Sequence, residues 1–230
     1  MKPLSQLEKQ IGIVFKNKKL LQNAFIHRSY LNENKDSAFT SNEKLEFLGD
    51  SVLSLITSVF LYEKYPKFEE GDYTEIKSAI VKTGSLAEAA EQLQLGNYLY
   101  LSKGEELGDG RRNRNILADT FEALIAAIFL DQGFQKANQF VTTYLFKGVL
   151  DQLIEKEDYL SAKSRLQEIF QAKYKTIPQY KVLASEGPEH KRIFTVAVFL
   201  HKKKLGTGKG LSKKEAEEKA AVHALRAINF

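Results

Sequence analysis

The chain has 230 residues, 43% of them hydrophobic and 27% charged, which suits one domain of ordinary size plus a smaller one and excludes a disordered polyelectrolyte. No apolar run reaches the ~18 residues of a membrane span, and the best stretch, Ile116 to Leu130, is broken by Asp119 and Glu122. The absence of cysteine excludes a disulfide framework and a thiolate zinc site, and makes a reducing cytoplasm the expected compartment.

Apolar residues recur at helical intervals in Leu4 to Val14, Leu20 to Leu31, Leu45 to Tyr62, Ile76 to Leu93 and Ile116 to Leu130, so the first ~150 residues are predicted to be helical almost throughout. The opening residues, Met1 to Glu8, lack the apolar core of a signal peptide. Pro66 stops the third of these helices. The charged run Asp151 to Leu160, with Glu155-Lys156-Glu157-Asp158 inside it, reads as a linker, and the expected domains are residues 1–152 and 160–230. A helix from Ser161 to Lys173 follows, then alternation in Gln179 to Ala184 and in Arg192 to Leu200, where Phe194, Val196, Val198 and Leu200 share one face. A third strand is expected at Leu205 to Gly210 and a last helix at Lys213 to Ile228, opened by the capping box Ser212-x-x-Glu215. The order is α-β-β-β-α. Gly206-Thr207-Gly208-Lys209-Gly210 lacks the spacing of a phosphate-binding loop, so a tight turn and strand is expected there and no nucleotide cofactor.

Charge divides the chain as the elements do. Residues 1–160 hold 19 basic against 23 acidic side chains, a net of −4, whereas residues 161–230 hold 15 against 6, a net of +9. An acidic body with a basic tail suggests a catalytic or scaffold part joined to a polyanion-binding part. A basic surface alone would also suit an anionic membrane, so the fold of the tail decides between them.

Within Asn42 to Leu53, Glu43, Glu46 and Asp50 fall at i, i+3 and i+7 on one helical face, with Leu45, Leu48, Val52 and Leu55 pointing elsewhere. Like charges on one face repel, and hard oxygen ligands at this spacing suit a divalent ion of the magnesium class; solvated acidic positions are the plainer alternative. Asp119 and Glu122 form a second i, i+3 pair on an apolar helix. Packing the two helices together would bring carboxylates of both into one pocket, where without a cation they would repel each other and take up protons.

Several blocks in register make the chain resemble the bacterial ribonuclease III family over nearly its whole length. They are Asn42 to Leu53, Glu70-Gly71-Asp72 through Lys77, and Asn115 to Leu124 in the helical part. Arg165-Leu166-Gln167-Glu168, Gly187-Pro188-Glu189-His190 and Ser212 to Glu217 are similar to a double-stranded RNA-binding domain. The resemblance implies an α+β chain of two domains, an all-α endonuclease domain followed by an α-β-β-β-α RNA-binding domain. It implies that Glu46, Asp50, Asp119 and Glu122 form the active-site cluster, with Asp50 and Glu122 catalytic and Glu46, Asp119 and Glu122 as metal ligands. Glu43 and Glu70 would have supporting roles, and Mg2+ would be the cofactor, with Mn2+ as a substitute.

The same resemblance implies a homodimer with Phe47 in the contact, double-stranded RNA as partner and no membrane. The products implied have 5′-phosphate and 3′-hydroxyl ends with short 3′ overhangs, in rRNA and mRNA processing. Gln167, Glu168 and His190 would reach 2′-hydroxyls across the minor grooves, and Lys213 and Lys214, at a helix N-terminus, would meet a phosphate. Arg111, Arg112 and Arg114 have two readings, solvated loop cations or RNA-phosphate contacts, while His27 is expected to be a hydrogen-bonded structural histidine. Ser51 and Asn115 depart from the family's usual Ala and Ser, and neither is a ligand. A non-catalytic dimeric double-stranded RNA-binding protein of the same fold is the competing reading, and a small-molecule phosphohydrolase is disfavoured by the basic tail.

Overall fold

A computed structural model of the chain describes residues 2–35, 38–147, 150, 153–154, 159–188 and 191–228. The chain folds as two compact units, Met1–Lys156 and Glu157–Phe230. Much of the expected linker, including Glu155 to Asp158, and His190 lie outside the described residues.

The first unit is helical: α1 (Leu4–Ile11), α2 (Lys18–Asn23), α3 (Arg28–Glu33), α4 (Glu43–Lys64), α5 (Glu70–Ile80), α6 (Thr83–Gln92), α7 (Lys103–Leu107), α8 (Arg114–Gln132) and α9 (Phe134–Val141). Its centre is α8, which buries Phe121, Leu124, Ile125 and Ile128 completely and is apolar nearly all round, as a core helix must be. The start of α8 is fixed by Asn113, whose side chain accepts from the backbone N–H groups of Asn115 and Ile116. Packed along α8 is α4, with Leu53, Ile56 and Leu61 inward. Among the described residues α4, rather than Ile116 to Leu130, is the helix long and apolar enough to cross a membrane by length and composition alone. Its contact with α8 and its carboxylates Glu43, Glu46 and Asp50 fit a core helix instead.

Two expected helices are each broken in two. Leu20 to Leu31 is interrupted because Ile26 and His27 run extended, pairing with the chain at Tyr100. The Tyr100 N–H donates to the Phe25 carbonyl at 2.9 Å and the His27 N–H to the Tyr100 carbonyl at 3.1 Å, so backbone groups lost to the helix are satisfied across the fold. Ile76 to Leu93 starts earlier, at Glu70, and bends at Lys82, whose φ of −66° and ψ of 148° are extended. The bend keeps Ile76, Ile80, Leu86 and Ala90 all buried, which is why periodicity gave no sign of it.

The second unit has α10 (Ala162–Tyr174), β1 (Gln179–Glu186), β2 (Ile193–Leu200), β3 (Lys203–Gly210) and α11 (Lys213–Ala227). The strands form an antiparallel sheet in the order β1-β2-β3. Leu166 and Phe170 of α10, Val198 of β2, and Ala220, Ala221 and Ala224 of α11 make the core. Gly206 to Gly210 is strand throughout, not part turn; the chain reverses at His201, whose φ is 53°. The glycines have another task. A Cβ on Gly206 would lie 2.3 Å from the Ala220 carbonyl oxygen and one on Gly208 2.2 Å from that of Ala216, so α11 rests almost directly on the strand backbone. Ser212 caps α11 through the Glu215 N–H, while the Glu215 carboxylate reaches back to the Leu211 N–H at 2.7 Å, one residue before the cap.

Candidate active site and RNA-binding elements

The crossing of α4 and α8 is set by one residue without a side chain. A Cβ built on Gly49 would lie 1.9 Å from the Glu122 carbonyl oxygen, so the two backbones touch there. Glu46 precedes Gly49 by almost one turn, and Asp119 precedes Glu122 by the same interval, so the close crossing gathers their side chains. Carboxylate oxygens of Glu46, Asp119 and Glu122 all come within 4.8 Å of one another, and each residue is partly buried.

Electrostatics record the crowding. Burial, followed by the negative charges of Asp50, Asp119 and Glu46, pushes the Glu122 carboxyl up to about 8. Burial and then Asp119, Glu43 and Asp50 raise Glu46, and burial raises Asp119 while His27 draws it back down. Three carboxyls that resist ionising together are a site short of positive charge, and an all-oxygen set of this kind fits a hard divalent cation.

The other acidic candidates stand at or beyond the margin of this group. Asp50 is exposed and outside the three-residue cluster, yet close enough for its charge to act on both Glu46 and Glu122. Glu43 turns to Ser41, whose hydroxyl donates to it at 2.8 Å, and to Arg28 at 3.6 Å. Glu70 is the first residue of α5 and accepts from the Thr74 hydroxyl. His27 caps α3, its Nδ1 accepting from the Ser29 N–H at 3.3 Å.

The loop arginines part company. Arg111 donates to Glu106 at 2.6 Å and to the carbonyls of Gly96 and Leu99, a cross-brace that neither reading of the sequence contained. Arg114 holds the Gly84 carbonyl and Glu88, and Arg112 is exposed. In the second unit Gln167 and Glu168 lie on the exposed side of α10, and Lys213 and Lys214 are exposed at the start of α11. Gly49 and the bracing role of Arg111 are what the sequence did not reveal; a glycine inside a strong helical pattern, between two acidic positions, was the available signal for the first.

A helical unit with converging carboxylates, joined to an α-β-β-β-α unit with lysines at a helix N-terminus, fits a hydrolase coupled to a polyanion-binding module. The family model described as Ribonuclease-III-like matches residues 17–149, and the one described as Double-stranded RNA binding motif matches residues 162–228. The chain is 45% identical to Ribonuclease 3 of Chloroflexus aurantiacus over 226 residues, 97% of this chain and 91% of the relative. It is 44% identical to Ribonuclease 3 of Bacillus velezensis over 220 residues, 96% of this chain and 88% of that one. Among solved structures, the nuclease domain of ribonuclease III from Campylobacter jejuni superposes with a TM-score of 0.59 at 36% identity, covering 65% of this chain and 97% of that domain. A second structure of the same domain is described as flexible in a region involved in dimer formation. The chain therefore belongs to the ribonuclease III family.

Proposed function

We propose that the chain is an endoribonuclease that hydrolyses phosphodiesters of double-stranded RNA, with magnesium as its metal, residues 1–152 as the nuclease domain and residues 160–230 as the RNA-binding domain. The observation that carries the reading is the convergence of Glu46, Asp119 and Glu122 at the Gly49 crossing. A pure RNA binder gains nothing from carboxylates crowded until one of them titrates at about 8 beside a polyanion.

Glu46, Asp119 and Glu122 would hold the ion. When bound, it supplies a water of lowered pKa and charge stabilisation for the leaving 3′ oxygen. The chain's own groups do the rest. Glu122 would hold the ion in its ionised form, its proton released to solvent, and Asp50, exposed at the margin of the cluster, would accept the proton of the attacking water while the leaving 3′ oxygen takes one from solvent. Lys213 and Lys214 meet RNA phosphates together with the free N–H groups of the α11 N-terminus, and Gln167 and Glu168 contact the neighbouring minor groove. Products carry 5′-phosphate and 3′-hydroxyl ends with short 3′ overhangs.

The working form is a homodimer joined through α4. Phe47, Leu55 and Tyr62 are 79%, 54% and 73% exposed, and their spacing of eight and seven residues keeps them in one stripe. Incubating an end-labelled RNA duplex with and without magnesium tests the reading: cleavage only with metal supports it, and metal-independent binding without cleavage would leave the non-catalytic alternative.

A further inference from the structure

On the second unit, away from the α11 N-terminus, a groove of about 510 Å³ is lined by Thr207, Gly208 and Lys209 of β3 and by Lys219, Val222, His223 and Arg226 of α11. Three properties coincide there. β3 is an edge strand, so its outer backbone groups are available to pair with an added chain. The rim is cationic, with Lys209, Lys219 and Arg226 exposed beside His223, and Glu215 paired to Lys219 at 2.6 Å. Val222 and the aliphatic stems of Lys219 and Arg226 give the floor an apolar character.

We propose that this groove is a docking site for an extended acidic protein segment, which adds to β3 as a fourth strand and sets alternate carboxylates against Lys219, His223 and Arg226. The spacing supports this occupant. Lys219, His223 and Arg226 follow one another along the outer face of α11 at about 6 Å and then about 4–5 Å, while alternate side chains of an extended peptide recur every ~6.7 Å. A phosphate backbone would engage the rim but leave the strand edge and the apolar floor unused. A second copy of this chain is disfavoured by charge, because β3 itself carries Lys203, Lys204 and Lys209 and would face its own kind. The close seating of α11 on Gly206 and Gly208 matters here, since it brings the helix cations down to the level of the strand edge.

The test uses the full chain and a fluorescein-labelled decapeptide of alternating Glu and Val, with a block-ordered peptide of the same composition as control. Anisotropy should show the alternating peptide binding more tightly than the block-ordered one. The double variant Lys219→Glu, Arg226→Glu should weaken it by about tenfold or more, and amide hydrogen exchange should slow in Lys203–Gly210 on binding. Affinity of the variant for an RNA duplex should stay within about threefold of the parent. Equal binding of the two peptides, an unchanged affinity in the variant, unprotected β3 amides, or a loss of duplex affinity as large as the loss of peptide affinity would each overturn the proposal; the last would assign the groove to RNA. A single reversal, Arg226→Glu, keeps the test open if the double variant misfolds.

Discussion

Replacing Gly49 by Ala adds one methyl group and removes no carboxylate, yet it should silence the enzyme. The added carbon would stand 1.9 Å from the Glu122 carbonyl oxygen, where carbon and oxygen need roughly 3.4 Å or more, so α4 and α8 must separate by about 1.5 Å or distort locally. Overpacking of this kind costs about 1–3 kcal/mol, which a protein of this size survives. Coordination is less forgiving: metal–ligand distances hold to about ±0.2 Å, and a misplacement of about 1 Å in a reacting constellation costs on the order of a hundredfold in rate. The expected result is a folded protein that binds duplex RNA in calcium and cleaves it in magnesium at least about a hundredfold more slowly. Gly71→Ala is the matched comparison, a helical glycine in α5 with nothing within 4 Å of its added carbon, and it should be neutral or gain ~0.5–1 kcal/mol. If Gly49→Ala cut RNA at the parent rate with an unchanged melting temperature, the crossing would not be what assembles the cluster.

Three further outcomes are expected. Because the Glu122 carboxyl is pushed from 4.5 up to about 8, its proton contributes stability to the metal-free chain that is full only below about 4.5 and is lost as pH rises from there through about 8; calcium, which needs the ionised form, should raise the melting temperature more at about pH 9 than at about pH 6, and an equal rise would exclude Glu122 as a ligand. A heterodimer of parent and Glu122→Gln subunits, purified by distinct tags, should nick a strand-labelled duplex without breaking it through, whereas efficient double-strand cleavage would mean that one cluster serves both strands. Lys213→Ala with Lys214→Ala should lower the slope of log affinity against log salt by about 1–2 while leaving the melting temperature nearly fixed, and an unaltered slope would remove both lysines from the phosphate contact.

The carboxylate helices were legible because their signal is local: Glu46 to Asp50 and Asp119 to Glu122 sit within single strongly apolar helices, where spacing alone fixes the face. The break at His27 was not, since it is decided by distant partners, nor was the bend at Lys82, since apolar residues stay buried on both sides of it. The extended Ile26 and His27 are held by the chain at Tyr100 and by the Asn42 N–H, which donates to the Ile26 carbonyl at 2.8 Å. Arg111 was equally hidden, because its carbonyl partners Gly96 and Leu99 lie more than ten residues away and backbone acceptors leave no mark in a sequence. The glycines of β3 misled in a different way. Glycine is the commonest turn former, but here it recurs at every second position, the period of a strand face, and the strand needs it for what it lacks in bulk.

That glycine track has a consequence for how the second unit can change over time. An ordinary core trades volume, a Phe shrinking on one side while an Ala grows on the other, and so wanders through many equivalent packings. Gly206 and Gly208 against Ala216, Ala220 and Ala224 offer no such exchange. Both sides already hold nearly the smallest residues there are, so every drift is an enlargement and no neighbour has room to concede. The spacing between helix and strand is thereby locked, and variation in this module is driven outward to its charged surfaces, where partners are chosen.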